Sequence, residues 1–469
     1  GIREGAADAF KGLRYAQPPL GALRWSPPVM YSYADAGTPV VDATTFGAHC
    51  LQSTWPNGSE DCLFLNVFRG INTSSFERLL PVLIFIHGGS YVSGSAKFYS
   101  GSDMISFWEG RVVVVTVDYR LNVFGFLGSE DLRPRDPTHS TGNYGLQDQR
   151  LAFEWVRQNI AAFGGDGSRI TIMGESAGGG SVSNHLVMPK SWGYISAAII
   201  ESGALSHWVT QPMQRAQSMY EELLSAVDCA DVECLLSIDA IDLFDARVPY
   251  SDSNNYLSPY VPTADGVELM THPWIAVANG DVADVPILHG TNGDEGILFT
   301  AMDERYRVNM SELLTYWSEQ RDYTDGEIAE LLQLYVAGHS GDYPSTGHDF
   351  ITTTEWWALQ RSIGDDMFSC PDMYLSQQIA LLNNKALRNS AVFMYHFEYT
   401  SFMSSYTIHG AELPYVFHWK LGSYSDAPLA DIVSSYWGNF VIDPSHNPNA
   451  QIIGQTGLDT WPEYSVQDK

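Results

Sequence analysis

This chain of 469 residues has few basic side chains, few cysteines and no long apolar run. It carries 25 lysines and arginines against 55 aspartates and glutamates, which gives a formal net charge of −30 at pH 7. Such a balance repels nucleic-acid phosphates and anionic membrane surfaces, so we expect no nucleic-acid partner. No uninterrupted apolar stretch reaches the roughly eighteen residues that a membrane-spanning helix requires. The sequence therefore predicts no transmembrane segment.

The few cysteines are informative by their positions. Cys50 and Cys62 flank a short loop, Cys229 and Cys234 flank a tighter one, and Cys370 is left over. Two closely spaced pairs are typical of disulfides formed in an oxidising compartment. Neither pair has a second Cys or His pair at zinc-site spacing, so no metal is expected. We predict the disulfides Cys50–Cys62 and Cys229–Cys234.

Three potential glycosylation sequons agree with that compartment. They begin at Asn57, Asn72 and Asn309. Each is a weak signal alone, because the N-x-S/T pattern is common. Together with the cysteines they predict a glycoprotein that is secreted or resides in the secretory-pathway lumen.

Strand-like and helical patterns alternate along the chain, which predicts α/β architecture with a largely parallel central sheet. Near-continuous apolarity, as in Val112–Val117, indicates strands that are covered on both faces. Two stretches, Gln211–Tyr260 and Arg305–Phe368, interrupt the alternation and are expected to be mostly helical insertions that form a lid or pocket walls. The other predicted strands are Leu63–Phe68, Pro81–Ile86, Ile170–Met173, Ala197–Ile200, Pro286–Leu288 and Ala391–Phe397, and the predicted helices include Gln147–Asn159 and Gly178–Val187.

The segment Gly174-Glu175-Ser176-Ala177-Gly178 carries the strongest functional signal. A strand-like run, Arg169–Met173, precedes it, and a helical run follows. A strand that turns sharply into a helix holds its central residue in a strained conformation, with small neighbours relieving the crowding. The alternative, an ordinary glycine-rich turn, does not require strand before and helix after. We therefore predict that Ser176 is a nucleophile.

A serine nucleophile needs a histidine base and an acid that orients it. In α/β-hydrolases the acid and then the histidine follow the serine, each on a loop after a later strand. His409 lies on such a loop, whereas His396 lies inside a strand and is expected to be a packed core residue. His289 ends its own strand and is a candidate to support the site. Asp294 and Glu295 both qualify as the acid by position.

The oxyanion formed during acyl transfer needs backbone N–H donors. One is expected from Ala177, the residue after the nucleophile, and the others from an earlier glycine-rich turn. The predicted strand Pro81–Ile86 leads into such a turn, His87–Tyr91. On its own this turn could simply close a strand, but together with the serine segment it predicts an oxyanion hole.

The complete set of motifs resembles the type-B carboxylesterase/cholinesterase family over nearly the whole chain. The resemblance implies an α/β-hydrolase fold, with one domain over 1–469 that is trimmed or shortened at both ends. The matching segments are Tyr15–Gly21, Ser59–Val67, His87–Gly89, Asn143–Gln149, Asn159–Asp166, Gly174–Gly179, Asp294–Gly296 and Trp461-Pro462.

The resemblance also implies residue roles. It selects Glu295 rather than Asp294 as the acid and His409 as the base. It implies Gly89, Ser90 and Ala177 as oxyanion donors, with Glu175 as a buried carboxylate beside the serine and Arg24–Glu60 as a structural ion pair.

Three departures from the family pattern bear on specificity. Ser90 stands where the family's usual turn has a third glycine, which keeps a backbone donor but adds a side chain. The loop from Cys50 to Cys62 is much shorter than the cholinesterase loop that carries the choline-binding tryptophan, and Trp55 is the only tryptophan left in it. Cys370 lies in a family-like context without its usual C-terminal partner.

These features together predict a serine carboxylic-ester hydrolase that acts on neutral or apolar small-molecule esters through an acyl-enzyme, without metal or organic cofactor. Trp356, Trp357 and Tyr406 are candidates to line the substrate gorge, although packing within the helical insertion explains each of them equally well. The alternatives are a cholinesterase, a lipase or phytyl-ester hydrolase, and a non-catalytic adhesion relative. The last has no physical need to keep a strained serine with both of its partners.

Overall fold

The computed structural model of the protein describes residues 1–35, 37, 40–54, 57–71, 78–247, 258–300, 308–321, 323–337, 353–400, 406–419, 426–443, 445–454 and 457–465. Trp55 and the sequon at Asn72 lie outside these ranges. Within them, no helix is both long enough and apolar enough to cross a membrane.

The strands are β1 (Ile2–Glu4), β2 (Ala7–Arg14), β3 (Phe64–Gly70), β4 (Leu80–Ile86), β5 (Val113–Val117), β6 (Gly165–Glu175), β7 (Ala197–Glu201), β8 (Gln211–Pro212), β9 (Thr263–Ala264), β10 (Ile287–Asn292) and β11 (Val392–Phe397). Nine of them form one sheet in the order β1-β2-β3-β5-β4-β6-β7-β10-β11, and β8 and β9 form a separate short pair. The strands from β5 to β11 in that order run parallel, while β1, β2 and β3 are antiparallel. The predicted largely parallel sheet is confirmed.

The parallel strands are buried on both faces, as their apolar sequences predict. Every residue of β4 and of β5 is buried. Because side chains alternate across a strand, Ile84 belongs to the apolar core on one face, and Leu83 and Phe85 belong to the core on the other. Helices cover both faces, which gives the three-layer arrangement of an α/β protein.

The helices are α1 (Ser102–Phe107), α2 (Asn122–Phe126), α3 (Tyr144–Asn159), α4 (Ala177–Leu186), α5 (Pro189–Trp192), α6 (Met213–Ala226), α7 (Val232–Ser237), α8 (Ala240–Asp245), α9 (Pro273–Asn279), α10 (Met310–Thr315), α11 (Asp325–Leu332), α12 (Thr354–Gly364), α13 (Cys370–Asn384), α14 (Leu413–Val416) and α15 (Ala427–Ile442). The two predicted insertions are largely helical where they are described. The first holds α6 to α8, and the second holds α10 to α12 with three single-turn π-helical segments.

Two features differ from the sequence predictions. The hairpin of β1 and β2 was not predicted from the sequence, because glycines and charged residues interrupt its apolar pattern and only one of its faces is buried. The prediction that His396 is a packed core residue is wrong, since 46% of its side chain is exposed. It lies on β11, the last strand of the sheet in the part of the chain that the structure describes.

Candidate active site

Ser176 sits in a sharp turn between β6 and α4. Its backbone has φ 57° and ψ −123°, a conformation that L-residues rarely adopt. Its N–H donates to the carbonyl oxygen of Glu201 at 2.9 Å, and its own carbonyl oxygen accepts from the N–H of Gly180 at 2.8 Å. These bonds to the neighbouring strand and to α4 hold the turn in place, with the serine at the N-terminus of the helix.

The flanking glycines are required by close packing. A Cβ on Gly174 would lie 2.3 Å from the carbonyl carbon of Gly178, and a Cβ on Gly178 would lie 2.0 Å from the carbonyl oxygen of Ile86. Both contacts are with backbone atoms, which cannot move aside as a flexible side chain could. The glycines therefore let β6 and α4 approach each other and the end of β4.

His409 and Glu295 meet on loops that follow the two outer parallel strands. Glu295 follows β10, and His409 lies beyond β11, which pairs with β10 in register along its whole length. The Nδ1 atom of His409 lies 2.6 Å from Oε2 of Glu295, and both side chains are almost fully buried. The Nε2 atom of His409 is buried, has no hydrogen-bond partner among the described residues, and lies 3.2 Å from Oε1 of Glu175.

The two candidate acids, which position in the sequence does not distinguish, make different contacts in the structure. Among the described residues Asp294 forms no hydrogen bond or ion pair with His409; its Oδ2 accepts from the N–H of Thr407 at 3.0 Å, and its Oδ1 lies 3.1 Å from Nη2 of Arg361. It thus ties the acid loop to the histidine loop, while Glu295 bonds to the imidazole.

The turn after β4 packs directly on the serine. A Cβ on Gly88 would lie 2.8 Å from Cβ of Ser176. Gly89 has φ 105° and Ser90 has φ 55°, so the chain folds back on itself at this point. Within the described part of the chain, the N–H groups of Gly89, Ser90 and Ala177 have no acceptor. They are available to a ligand oxygen.

Several functional contacts were not found from the sequence. Ser202 Oγ donates to Oε1 of Glu295 at 2.5 Å, and the N–H of Asn292 donates to the same oxygen at 2.7 Å. Asn292 Nδ2 also donates to Glu412 Oε2. Ser202 follows directly on β7, and a polar residue at the end of a parallel strand was the only available signal.

Buried carboxylates surround the imidazole. Burial by itself would lower the pKa of His409, but the charges of Glu175, Glu295 and Glu412 outweigh it and raise that pKa to about 9. Burial raises the pKa of Glu175 to about 7 and that of Glu412 to about 8. It also raises the pKa of Glu201, which accepts a hydrogen bond from Trp437 Nε1. His409 therefore lies among carboxyl groups that themselves titrate near neutral pH.

Aromatic side chains also pack against His409. The ring of Phe368 lies 4.8 Å from that of His409, between centroids, and the ring of Phe299 lies 5.1 Å away. Trp208 lies behind Phe368 and donates its indole N–H to the carbonyl oxygen of Met367. Trp356 and Trp357 are buried and pack with Tyr406 and Ile408 in a small separate cluster beside the histidine loop.

The structure also contains the predicted disulfides and the predicted ion pair. The disulfides Cys50–Cys62 and Cys229–Cys234 are both present, and Cys370 is free and exposed. Arg24 donates to both carboxylate oxygens of Glu60 at 2.7 Å, in a buried bidentate pair.

Fold and site together define an α/β-hydrolase with a serine, histidine and acid in the chain order of that class. The chain belongs to the carboxylesterase family, whose model matches residues 2–469. It is 32% identical to human cocaine esterase, over 98% of this chain and 82% of that protein, and 31% identical to para-nitrobenzyl esterase of Bacillus subtilis strain 168, over 100% of this chain and 91% of that protein. The solved structure of Aspergillus niger EstA superposes with a TM-score of 0.82 at 28% identity, covering 98% of this chain and 89% of that one.

These similarities confirm the predicted fold and the predicted class of enzyme, a carboxylic-ester hydrolase.

Proposed function

We propose that Ser176 is the nucleophile of this esterase, His409 its general base and Glu295 the acid that orients the base. One observation carries the proposal. Glu295 holds Nδ1 of His409 at 2.6 Å, and the buried Nε2 is left without a hydrogen bond beside Glu175, the residue that precedes Ser176. A base fixed at one nitrogen and open at the other can accept a proton from the serine hydroxyl.

The reaction follows from these roles. Ser176 Oγ attacks the ester carbonyl carbon while Nε2 of His409 takes the hydroxyl proton. The N–H groups of Gly89, Ser90 and Ala177 stabilise the negative charge on the carbonyl oxygen. His409 then gives the proton to the departing alcohol, and an acyl-enzyme remains. A water molecule then attacks the acyl-enzyme with the help of the same base, and the carboxylic-acid product is released. No step of this reaction needs a cofactor.

The substrate is proposed to be an uncharged ester of a small molecule. On one side of the base, the rings of Phe299 and Phe368 pack against His409, and Trp208 lies behind Phe368. Apolar walls suit acyl or alcohol groups without charge, and the two relatives are named for a para-nitrobenzyl ester and for cocaine. No described contact favours a choline ester, a lipid or a phytyl ester over these, nor the adhesion role.

The proposal is tested by measuring the hydrolysis of p-nitrophenyl esters of increasing acyl length. The wild type is compared with Ser176→Ala and with Ser218→Ala, a control at an exposed serine. We expect Ser176→Ala to lose roughly 10⁴-fold or more in turnover and the control to match wild type. Turnover that survives in Ser176→Ala would refute the assignment of the nucleophile.

We further propose that the protein is a glycoprotein of the secretory pathway. Two disulfides and the exposed sequon residues Asn57 and Asn309 support this. Expression in a secreting host, followed by enzymatic deglycosylation, tests it. We expect a mobility shift that is smaller in the double variant Asn57→Gln/Asn309→Gln and is lost when Asn72→Gln is added. Unmodified asparagines in the secreted protein would contradict the proposal.

A further inference from the structure

A second histidine–carboxylate–hydroxyl group lies buried behind the active site, and the chemistry above does not use it. The Nδ1 atom of His289 lies 2.7 Å from Oδ1 of Asp372, and Oγ of Ser376 lies 2.8 Å from Nε2 of His289. All three side chains are completely inaccessible to solvent. No substrate can reach them, so the group is not a second catalytic triad.

Stability does not explain the group either. His289 is a residue of β10 and bonds to side chains of α13. Leu375 and Ile379 of the same helix belong to the apolar core. The other oxygen of Asp372, Oδ2, is buried and has no hydrogen-bond partner among the described residues. A buried polar group with an unsatisfied oxygen costs free energy, and well-packed apolar residues are often at least as stable in its place.

The group joins two elements that both end at the active site. On one side, β10 leads from His289 to Asn292, whose N–H donates to the Glu295 carboxylate. On the other side, α13 follows directly on the π-helical turn Asp365–Ser369, which carries Phe368 against the ring of His409. One element thus leads to the acid, and the other begins at the turn that packs on the base.

The geometry of the group suits it to fixing these elements in register. Asp372 and Ser376 are one helical turn apart, so they project from the same face of α13 and hold the imidazole from both sides. Two directional bonds to one ring resist both sliding and rotation of the helix, whereas apolar contacts are non-directional.

We propose that His289, Asp372 and Ser376 form a buried clamp that positions Glu295 and His409 for proton transfer. The clamp rests on the proposed roles of those two residues. It acts through them and touches no substrate, so its members are positioning residues. Small displacements of a catalytic pair lower the rate of the chemical steps, and both acylation and deacylation use the same base.

The test compares two serines that make the same bond. Ser376 and Ser191 each lie 2.8 Å from a ring nitrogen of a fully buried histidine, but Ser191 bonds to His185, at the end of α4 far from Ser176. We expect Ser376→Ala to lower kcat for p-nitrophenyl acetate by roughly tenfold or more at unchanged KM, with rates expressed per fluorophosphonate-titrated site. Ser191→Ala should keep the wild-type kcat, although both variants lose a similar amount of thermal stability.

Rescue by a conservative variant completes the test. Asp372→Ala should lower kcat at least as much as Ser376→Ala, and Asp372→Asn, which keeps an oxygen for the His289 N–H, should recover most of the loss. The clamp is overturned if Ser376→Ala melts at lower temperature but keeps the wild-type kcat, or if Ser191→Ala slows equally. A folded wild type that hydrolyses no ester and takes no label would instead overturn the proposed function, and the clamp with it.

Discussion

Ser176 holds a backbone conformation that side-chain-bearing residues avoid, and its surroundings stabilise it there. Such strain persists only where neighbouring structure over-determines the position. The hydrogen bond from its N–H to Glu201 and the glycine contacts at Gly174 and Gly178 do so from three directions. The motif was predictable from the sequence because a strand that turns sharply into a helix needs small residues beside its central residue. The partner strand that accepts the bond was not.

The acid role is tested by exchanging each candidate for its amide. Glu295→Gln should lower kcat by about 10³–10⁴-fold, because the amide no longer stabilises the imidazolium and can hold the wrong tautomer. Asp294→Asn should keep kcat near wild type, since Asp294 bonds to the histidine loop and to Arg361 rather than to the imidazole. Steady-state kinetics at several pH values would decide. An inactive Asp294→Asn beside a fully active Glu295→Gln would transfer the role.

The pH–rate profile of the enzyme should be displaced towards higher pH. His409 must be neutral to accept a proton, and the surrounding carboxylates raise its pKa to about 9 against the pull of burial. The acid limb of kcat/KM should therefore lie above the ordinary histidine value of about 6.5. Glu175→Gln removes a carboxylate 3.2 Å from Nε2 and should move that limb down by about one unit or more.

The control for this titration is Glu109→Gln, an exposed glutamate paired with Arg111 on the surface. It should leave the profile where it is. A limb that stays fixed in Glu175→Gln would mean that Glu175 is already protonated over the range in which His409 titrates.

At the level of elements, the site is built where parallel strands end. The turn after β4 carries the proposed oxyanion donors and the turn after β6 carries Ser176, while the loops beyond β10 and β11 carry the proposed acid and base. This arrangement could be predicted because apolar runs mark buried strands and α/β folds place ligands at their carboxyl ends. The chain order of serine, acid and histidine was likewise visible in the sequence.

What could not be predicted is the set of contacts between distant segments. Ser202 and Glu295 are 93 positions apart, and His289 and Asp372 are 83 apart. No local pattern pairs such residues, because their contact is created by the sheet order and by the docking of α13. The exposure of His396 was mispredicted for the same reason, since the sequence does not show which strand forms the edge.

The longer disulfide should stabilise the loop before β3. Cys50 and Cys62 are 12 positions apart, and closing a loop of that size contributes about 2–3 kcal/mol in the chain-entropy model. The double variant Cys50→Ser/Cys62→Ser should lose about that much in denaturant unfolding. Replacing Cys229 and Cys234, only 5 positions apart, should cost less, and Cys370→Ser should change little. Equal loss from all three changes would contradict this ranking.

At the scale of the whole molecule, the net charge affects how fast a substrate meets the protein, whereas the chemistry of the pocket affects which substrate is selected. A net charge of −30 raises the local concentration of cations and speeds their encounter with the protein. Discrimination in favour of a cation needs an aromatic platform inside the pocket, and the loop between Cys50 and Cys62 has a single tryptophan, Trp55, in its sequence. Encounter and selectivity can thus be separated experimentally.

We expect uncharged p-nitrophenyl esters to be hydrolysed with higher kcat/KM than acetylthiocholine or butyrylthiocholine. Added salt should lower kcat/KM for the thiocholine esters more than for the uncharged ones, because salt screens the attraction between the acidic protein and a cationic substrate. Measurement of kcat/KM for both classes over a range of ionic strength checks this. A preference for choline esters that collapses in Trp55→Ala would establish the cholinesterase specialisation instead.

The central claim is that Ser176 is acylated with help from His409 and Glu295, and covalent labelling tests it most directly. The wild-type protein, treated with a fluorophosphonate probe and digested, should give one modified peptide with the adduct on Ser176. Ser176→Ala should take no label, and Glu295→Gln should label far more slowly. An adduct on another residue, or undiminished labelling of Ser176→Ala, would contradict the account.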